Sequence, residues 1–138
     1  MKILAVDYGD ARTGLACCDE GERLASPVEV LTEYNRDRLA DRITARAVEL
    51  GVGEIVLGHP VNMNGTLGPR SELAREFSAL LEQRSGLPVT LWDERRTTVS
   101  AANILNTADV RGKKRKAVID AVAATLILEG YLAYRKNR

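Results

Sequence analysis

The order of apolar and polar positions predicts short strands at the start of the chain. Residues 2–7 (KILAVD) form a nearly continuous apolar run, as in a central strand that is covered on both faces. Two more strands are predicted at 15–19 and 24–31, and Glu20-Gly21 forms the tight turn between them. Three short strands joined by turns indicate an antiparallel meander.

From Asn35, a predicted N-cap, the pattern changes to the period of a helix, and a buried strand at 54–58 separates two such helices. The first helix is marked by apolar residues at helical spacing, which are Leu39, Ile43, Ala47 and Leu50. The second helix is marked in the same way by Leu73, Phe77, Leu80 and Leu81. A fifth strand is predicted in the apolar run 89–92.

The last third of the sequence predicts two more helices. Thr97 or Thr98 caps a helix that reaches about Asn106, and residues 108–116 (ADVRGKKRK) are predicted to be an exposed loop. Residues 117–134 are apolar nearly throughout, as in a long buried helix. The basic residues after this helix are expected to form a frayed tail.

These elements predict an α/β fold in a single domain, residues 1–138. The strands that alternate with helices are expected to lie parallel to the first strand, because such crossovers are right-handed. The sheet is then mixed and five-stranded, with a three-strand antiparallel meander plus two parallel strands, and helices flank it. Ligands of such sheets bind beyond the carboxyl ends of the parallel strands. Those ends are predicted at Asp7, at His59 and at Asp93-Glu94.

Composition narrows the class of protein. The 138 residues carry a formal net charge of +1, so any affinity for a polyanion has to be local. Cys17 and Cys18 are neighbours that would point to opposite faces of a strand, which disfavours a disulfide, and they offer no zinc-binding spacing. No uninterrupted apolar run reaches the roughly 18 residues of a membrane span. A soluble, cytoplasmic protein with reduced cysteines is expected.

Acidic residues end two of the predicted strands. Asp7 ends the central strand, where it either starts a turn or faces a site. Asp93 and Glu94 end the fifth strand, and only one of them needs to face the site because neighbours on a strand point in opposite directions. The period of the strand does not decide between them, and both are also explained as solvated acids beside the arginines that follow.

Asp120 is the most informative acid, because it is the one charged residue in the apolar run 117–128. A buried carboxylate without a partner is costly, so this group needs a cation or a polar cavity. A salt bridge to one of the basic residues 113–116 is the simpler explanation. The alternative is a metal ion shared with the other acids.

Taken together, the acids indicate a site for a hard cation. Clustered carboxylates repel one another unless a cation neutralises them. Mg²⁺ or Mn²⁺ prefers the oxygen ligands that these acids supply, whereas one histidine and two adjacent cysteines are a poor set for zinc. Two such ions about 4 Å apart stabilise the attacking and leaving oxygens of a phosphodiester displacement.

Four stretches in order resemble the YqgF family, also called RuvX, whose members are described as pre-16S rRNA nucleases and Holliday junction resolvases of the RNase H-like superfamily. They are VDYGDARTGLA (6–16), GHPVNMNGTLGPRS (58–71), WDERRTT (92–98) and DAVAATLIL (120–128), and they span nearly the whole chain. The resemblance implies an RNase H-like fold with catalytic and metal-binding acids at Asp7, Glu94 and Asp120. It favours Glu94 over Asp93, a choice that the strand period leaves open.

Two segments near the predicted site are candidates for substrate binding. Arg12, in the turn after the first strand, suits paired hydrogen bonds to a phosphate, although a surface role is the plain alternative. The loop after the fourth strand offers Asn62, Gly65 and Arg70, with glycines for close backbone approach and a helix start for an anion. A purely structural turn explains the same residues, and the resemblance favours substrate binding.

Further basic residues flank the predicted acids. Arg95 directly follows Glu94 and is a candidate substrate contact or a solvated partner of an acid. Lys113, Lys114 and Arg115 belong to a basic run that leads into the Asp120 helix. Such a run attracts a phosphate backbone, and binding through it weakens as salt rises.

The single histidine and the aromatic residues are expected to be structural. His59 is not required as a base, since a metal site already acidifies water. Trp92 is expected in the core, and Tyr8 alone makes no stacking platform because aromatic residues are only 4% of the chain.

The sequence therefore predicts a nuclease that hydrolyses nucleic-acid phosphodiesters with Mg²⁺ or Mn²⁺. The resemblance makes 5′-end maturation of pre-16S rRNA the expected role, with RNA and a pre-ribosomal small subunit as partners of a monomer or weak dimer. Three alternatives stay open. A Holliday junction resolvase acts on structured DNA as a stable dimer. An RNA-binding assembly factor binds without cutting, and an actin-like phosphotransferase needs a second domain of this kind.

Overall fold

The computed structural model describes residues 1–60, 68–94 and 112–137, and at 112–120 the helix backbone alone. Within these residues, five strands form one sheet in the order β3-β2-β1-β4-β5. The strands are β1 (Ile3–Asp7), β2 (Arg12–Cys18), β3 (Ala25–Thr32), β4 (Glu54–His59) and β5 (Val89–Asp93). The helices are α1 (Arg36–Leu50), α2 (Pro69–Ser85) and α3 (Gly112–Lys136). The helix predicted at 97–106 lies outside the described residues.

The sheet is mixed, as the sequence pattern predicts. β1 pairs antiparallel with β2, and β2 pairs antiparallel with β3. β1 and β4 are parallel, and so are β4 and β5. The predicted meander and the two added parallel strands are therefore confirmed, and the carboxyl ends of β1, β4 and β5 lie side by side.

Alternate residues of β1 enter two different cores. Leu4 and Val6 belong to the core beneath α1 and α2, which is filled by the fully buried Phe77. Ile3 and Ala5 belong to the core beneath α3. Because both faces of the strand are covered, its sequence is continuously apolar.

Local signals determine where α1 and α2 begin and end. The side chain of Asn35 accepts a hydrogen bond of 3.0 Å from the backbone N–H of Arg38, which confirms the predicted N-cap. Gly51 and Gly86 follow the two helices in the left-handed conformation, each with a φ of +72°. A side chain at either position would be strained, so glycine suits both helix ends.

The prediction of an exposed loop through residue 116 is wrong for its second half. Helix α3 begins at Gly112 and not at residue 117, so the basic residues 113–116 lie in its first turns. Lysine and arginine are good helix formers, and this run contains no residue that ends a helix. Charge alone was therefore a poor guide to the boundary of α3.

Two arginines also differ from their predicted positions. Arg12 is the first residue of β2 and pairs with Thr32 of β3, so it is not in the turn. Arg135 belongs to α3 rather than to a frayed tail, and its Nε donates a hydrogen bond of 2.7 Å to Glu22. In both cases a partner on another strand or turn holds the residue in regular structure.

The cysteines and Trp92 pack as predicted. Cys17 and Cys18 are free, and they contact opposite cores from neighbouring positions on β2. Trp92 is 5% exposed and packs in the core beneath α3. Of the described helices, none combines the length and the apolar character that a membrane span requires.

Candidate active site

A cleft lies at the carboxyl ends of β1, β4 and β5. It encloses about 410 Å³ of empty space, part of which is open to solvent. Its walls come from these strand ends, from the β1–β2 connection and from the first turns of α2, and they include Asp7, Asp10, Gly58, Arg70, Leu73 and Glu94. The position agrees with the general rule for ligand sites of parallel strands.

The side chains of Asp7 and Glu94 are joined by a hydrogen bond in this cleft. Asp7 ends β1 and Glu94 directly follows β5, so the two acids reach the cleft from strands on either side of β4. Two carboxyl groups this close repel each other when both are ionised, unless a proton or a cation lies between them. The pair therefore concentrates negative charge that a bound cation would neutralise.

Burial raises the pKa of the Glu94 carboxyl group above its usual range. The hydrogen bond to Asp7 and the positive charge of Arg70 act in the opposite direction, and the negative charge of Asp93 adds to the increase. Burial has the largest effect because an ionised carboxylate loses hydration in the cleft. Glu94 thus keeps its proton more readily than an exposed glutamate does.

Gly58 makes room for Glu94 at the end of β4. A Cβ atom at this position would lie 2.6 Å from Oε1 of Glu94 and 2.7 Å from Cδ1 of Ile127 on α3. The absence of a side chain therefore lets Glu94 lie across the middle strand of the three. A glycine inside a buried strand is a known sign of close approach, so the run EIVLG carries a signal that the sequence analysis did not use.

Arg70 and Asp10 form an ion pair at the mouth of the cleft. Nη1 of Arg70, in the first turn of α2, lies 3.1 Å from Oδ2 of Asp10 in the β1–β2 connection. Their side chains are 56% and 79% exposed. Arg70 is a residue that the sequence predicts for substrate binding, whereas Asp10 is not, because nothing local distinguishes Asp10 from an ordinary turn acid.

His59 and Tyr8 have structural contacts beside the cleft. Nε2 of His59 lies 2.5 Å from the hydroxyl of Ser71, and this bond ties the end of β4 to the start of α2. The ring of Tyr8 stacks on Phe77 with a centroid distance of 4.2 Å. The His59 contact accords with the structural role expected for that residue, whereas Tyr8 also lines the cleft.

The structure gives a partial view of the other predicted site residues. Asp120 lies in α3, seven residues before Ile127, and its side chain is outside the described part of the chain. The same holds for the side chains of Lys113, Lys114 and Arg115, and for Asn62, Gly65 and Arg95 altogether. Among the side chains that are described, no group of three or more His, Cys, Asp or Glu residues is placed to hold a metal ion.

The donor chemistry of the cleft fits a hard divalent cation. Asp7 and Glu94 supply carboxylate oxygens, which Mg²⁺ and Mn²⁺ prefer, and the missing side chain at Gly58 lets Glu94 reach across β4 toward Asp7.

Comparison with known proteins agrees with the family resemblance seen in the sequence. The family model RuvX, described as Holliday junction resolvase, matches residues 1–134. A relative from Halothermothrix orenii, named "Putative pre-16S rRNA nuclease", is 44% identical over 137 residues and covers 99% of this chain and 98% of its own. A relative of the same name from Bacillus subtilis is 43% identical over 134 residues, with coverages of 96% and 97%.

Solved structures show the same fold at low sequence identity. Thermus thermophilus RuvC in complex with a Holliday junction substrate has a TM-score of 0.64 at 13% identity and covers 98% of this chain and 96% of its own. The fowlpox virus Holliday junction resolvase has a TM-score of 0.57 at 16% identity, with full coverage of both chains. The RNase H-like fold is confirmed, and with a family match over almost the entire length, this chain belongs to the RuvX family.

Proposed function

We propose that this protein is a nuclease that hydrolyses nucleic-acid phosphodiesters in the cleft between Asp7 and Glu94. The observation that carries the proposal is the hydrogen bond between two acids from separate strands, one of them buried with a raised pKa. Perturbed carboxyl groups that converge in a cleft are characteristic of active sites. Membership of the RuvX family and the names of the relatives support the same activity.

The proposed cofactor is Mg²⁺ or Mn²⁺, with Asp7, Glu94 and Asp120 as its ligands. When bound, such an ion acidifies water and stabilises negative charge on phosphoryl oxygens, and two ions would divide these tasks. Asp7 and Glu94 contribute the charge that draws the cation into the cleft. Helix α3 packs on the face of the sheet that Asp7 shares with Ile3 and Ala5, and it would contribute the third proposed ligand, Asp120, on that face.

The basic residues around the cleft would hold the substrate backbone. Arg70 is placed to donate paired hydrogen bonds to a phosphate next to the acid pair, once that phosphate displaces Asp10. The further contacts proposed from the sequence are Arg12, Asn62, Gly65, Arg95, Lys113, Lys114 and Arg115. Contacts of this kind to the phosphate backbone would position a strand without reading its sequence.

The proposed biological substrate is pre-16S rRNA, cut near its 5′ end in the cytoplasm on a pre-ribosomal small subunit. Relatives that are 41–45% identical and nearly equal in length carry that activity in their names. A second candidate is a four-way DNA junction, which the description of the family favours. The junction activity would require a stable dimer, because two symmetric cuts need two sites.

The test is cleavage of end-labelled RNA with a pre-16S leader, and of a four-way DNA junction, with Mn²⁺, Mg²⁺ or EDTA. Asp7→Asn, Glu94→Gln and Asp120→Asn should each lower the rate more than about 100-fold, which exceeds the usual effect of groups that only orient a metal ligand. Asp41→Asn is the matched control, because it removes an exposed acid of α1 that pairs with Arg84.

The outcomes separate the candidates. Metal-dependent cutting that survives in Asp41→Asn and is lost in the other three variants supports the nuclease. Cutting in EDTA, or full activity in all the variants, would refute the proposed site. RNA binding without any cutting would indicate an assembly factor instead.

A further inference from the structure

We infer that the cleft binds an unpaired nucleotide, with Leu73 in contact with its base and Arg70 in contact with its phosphate. The inference rests on the proposed nuclease function and adds the class of substrate. It means that the strand is single-stranded, or locally opened, where it is cut.

Leu73 is a large apolar residue in the wall of the cleft. The sequence pattern predicts it as part of the core face of α2, yet it is 39% exposed and lines the cleft. The core contacts of α2 come instead from Ala74, Phe77 and Leu81. An apolar wall beside the charged residues of the cleft suits a ligand that carries both an apolar group and an anionic group.

Leu73 and Arg70 lie on the same side of α2. They are three residues apart in the helix, so their side chains are neighbours, and both line the cleft. Pro60 and Ala74 extend the apolar wall next to Leu73. One turn of α2 thus offers a cation and an apolar surface side by side, facing the acid pair.

A nucleotide carries groups that are complementary to both residues. Its phosphate is an anion, and its base has a flat face that packs on apolar or aromatic side chains. In a duplex both faces of a base are covered by the neighbouring bases, so they are not available to Leu73. Proteins that contact base faces therefore act on unpaired segments.

The location of the wall also argues against a protein segment as the ligand. Leu73 shares one cleft with Asp7 and Glu94, so a group on it lies next to the proposed point of cutting. An apolar protein segment would leave Arg70 and the acids without a role. A nucleotide of the substrate strand uses all of these contacts at once.

The experiment measures the Kd of short RNAs in EDTA, where no cutting is expected. One probe is a single strand that carries 2-aminopurine, and the other is the same sequence as a complete duplex. Leu73→Ala should weaken binding of the single strand about five- to tenfold, at the lower end of the usual effect of a base-stacking side chain, and leave duplex binding unchanged. Leu73→Met should keep the wild-type affinity for the single strand and the wild-type change in 2-aminopurine fluorescence, because methionine is also a large apolar side chain.

Leu24→Ala is the matched control, since Leu24 is 67% exposed before β3, at the opposite edge of the sheet. The inference is wrong if Leu73→Ala matches this control, if both RNAs lose affinity equally, or if the variant instead alters self-association in sedimentation. In those cases wild-type cutting would still support the nuclease. Failure of the wild type to bind or cut any nucleic acid would overturn both proposals.

Discussion

Glu94 occupies an environment that disfavours its own charge. Burial beside Asp7 raises the pKa of its carboxyl group. An acid with a raised pKa favours folding below the pKa of the unfolded chain, and this contribution is lost as the pH rises through the folded pKa. At neutral pH the ionised carboxylate therefore destabilises the metal-free protein, as is common for functional groups.

We expect Glu94→Gln to raise the free energy of unfolding by about 1 kcal/mol at neutral pH in EDTA, a typical gain when a strained functional group is removed. The amide keeps the size of the side chain and donates a hydrogen bond to Asp7. Urea unfolding measures the difference, with Glu82→Gln on the exposed face of α2 as the control. Mg²⁺ or Mn²⁺ should stabilise the wild type more than the variant. An unchanged or lower stability in EDTA would contradict the burial argument.

On the proposed function, Asp10 would compete with the substrate phosphate for Arg70. The two side chains are 3.1 Å apart and largely exposed, so their attraction is weak and a phosphate can replace it. Asp10→Asn should tighten RNA binding in EDTA about two- to fivefold, the range that corresponds to an exposed ion pair. Filter binding at several salt concentrations measures the effect.

Asp41→Asn again provides the control for charge, because it also removes one acid from an exposed pair with an arginine. That pair lies near the far end of α2, about 20 Å along the helix from Arg70. Equal tightening in both variants would mean that net charge, and not release of Arg70, is responsible.

At the scale of elements, β4 joins the cleft to helix α3 through Gly58. We expect Gly58→Ala to destabilise the protein by about 1–3 kcal/mol and to lower cleavage strongly, because the new methyl group displaces Glu94 or Ile127. Thermal melting and the cleavage assay measure the two effects.

The matched control is Gly21→Ala, where the nearest heavy atom would be an ordinary 3.5 Å from the new Cβ. A Gly58→Ala variant with wild-type stability and activity would show that β4 and α3 adjust to the methyl group freely.

Elements that bury a continuous or periodic apolar face could be predicted from the sequence. β1 and β4 have apolar runs because both of their faces are covered, and Asn35 and Gly51 signal the ends of α1 directly. The start of α3 could not be predicted in this way, since a basic run is compatible with a loop and with a helix. Its state depends on the apolar helix that continues it.

The site was predictable only where strand order determines it. Asp7 and the acids after β5 follow from the rule that parallel strands share a carboxyl edge. The choice of Glu94 over Asp93 needed the family resemblance, because alternation gives no absolute direction. Asp10 and Leu73 depend on how α2 packs over the sheet, and no local pattern reports that packing.

At the scale of the whole molecule, a polar cluster lies at the amino ends of β4 and β5, the end of the sheet away from the cleft. The buried carboxylate of Glu54 accepts hydrogen bonds from Tyr131 and Thr90, and Arg135 bridges Glu54 and Glu22. Helix α3 therefore passes the cleft at Ile127 and is held at the other end of the sheet by Tyr131 and Arg135. We expect this cluster to support stability and not chemistry.

The hydrogen bond from Arg135 lowers the pKa of Glu22. A lowered pKa gives stability that is present above the pKa of the unfolded chain and is lost as the pH falls through the folded pKa. Glu22→Gln should therefore reduce the free energy of unfolding by about 0.5 kcal/mol at neutral pH, since the pair is partly exposed. Cleavage should stay at the wild-type rate.

Urea unfolding from neutral pH down to about pH 2 tests this dependence, because the wild type and the variant should converge as Glu22 protonates. A difference that stays constant with pH would assign the effect to packing. A loss of cleavage in a variant that is still folded would mean that the polar cluster affects the cleft.

Because β4 lies between β1 and β5, the cleft depends on the length of its acidic side chains as well as on their charge. Neighbouring strands are about 4.8 Å apart, so the backbones that carry Asp7 and Glu94 stand roughly 10 Å or more from each other. One short and one long acid bridge that gap across Gly58. Two aspartates would carry the same charge and fall short of each other, and two glutamates would crowd the space. The spacing of the strands therefore determines which lengths of acidic side chain can meet in the cleft, and it favours one aspartate with one glutamate.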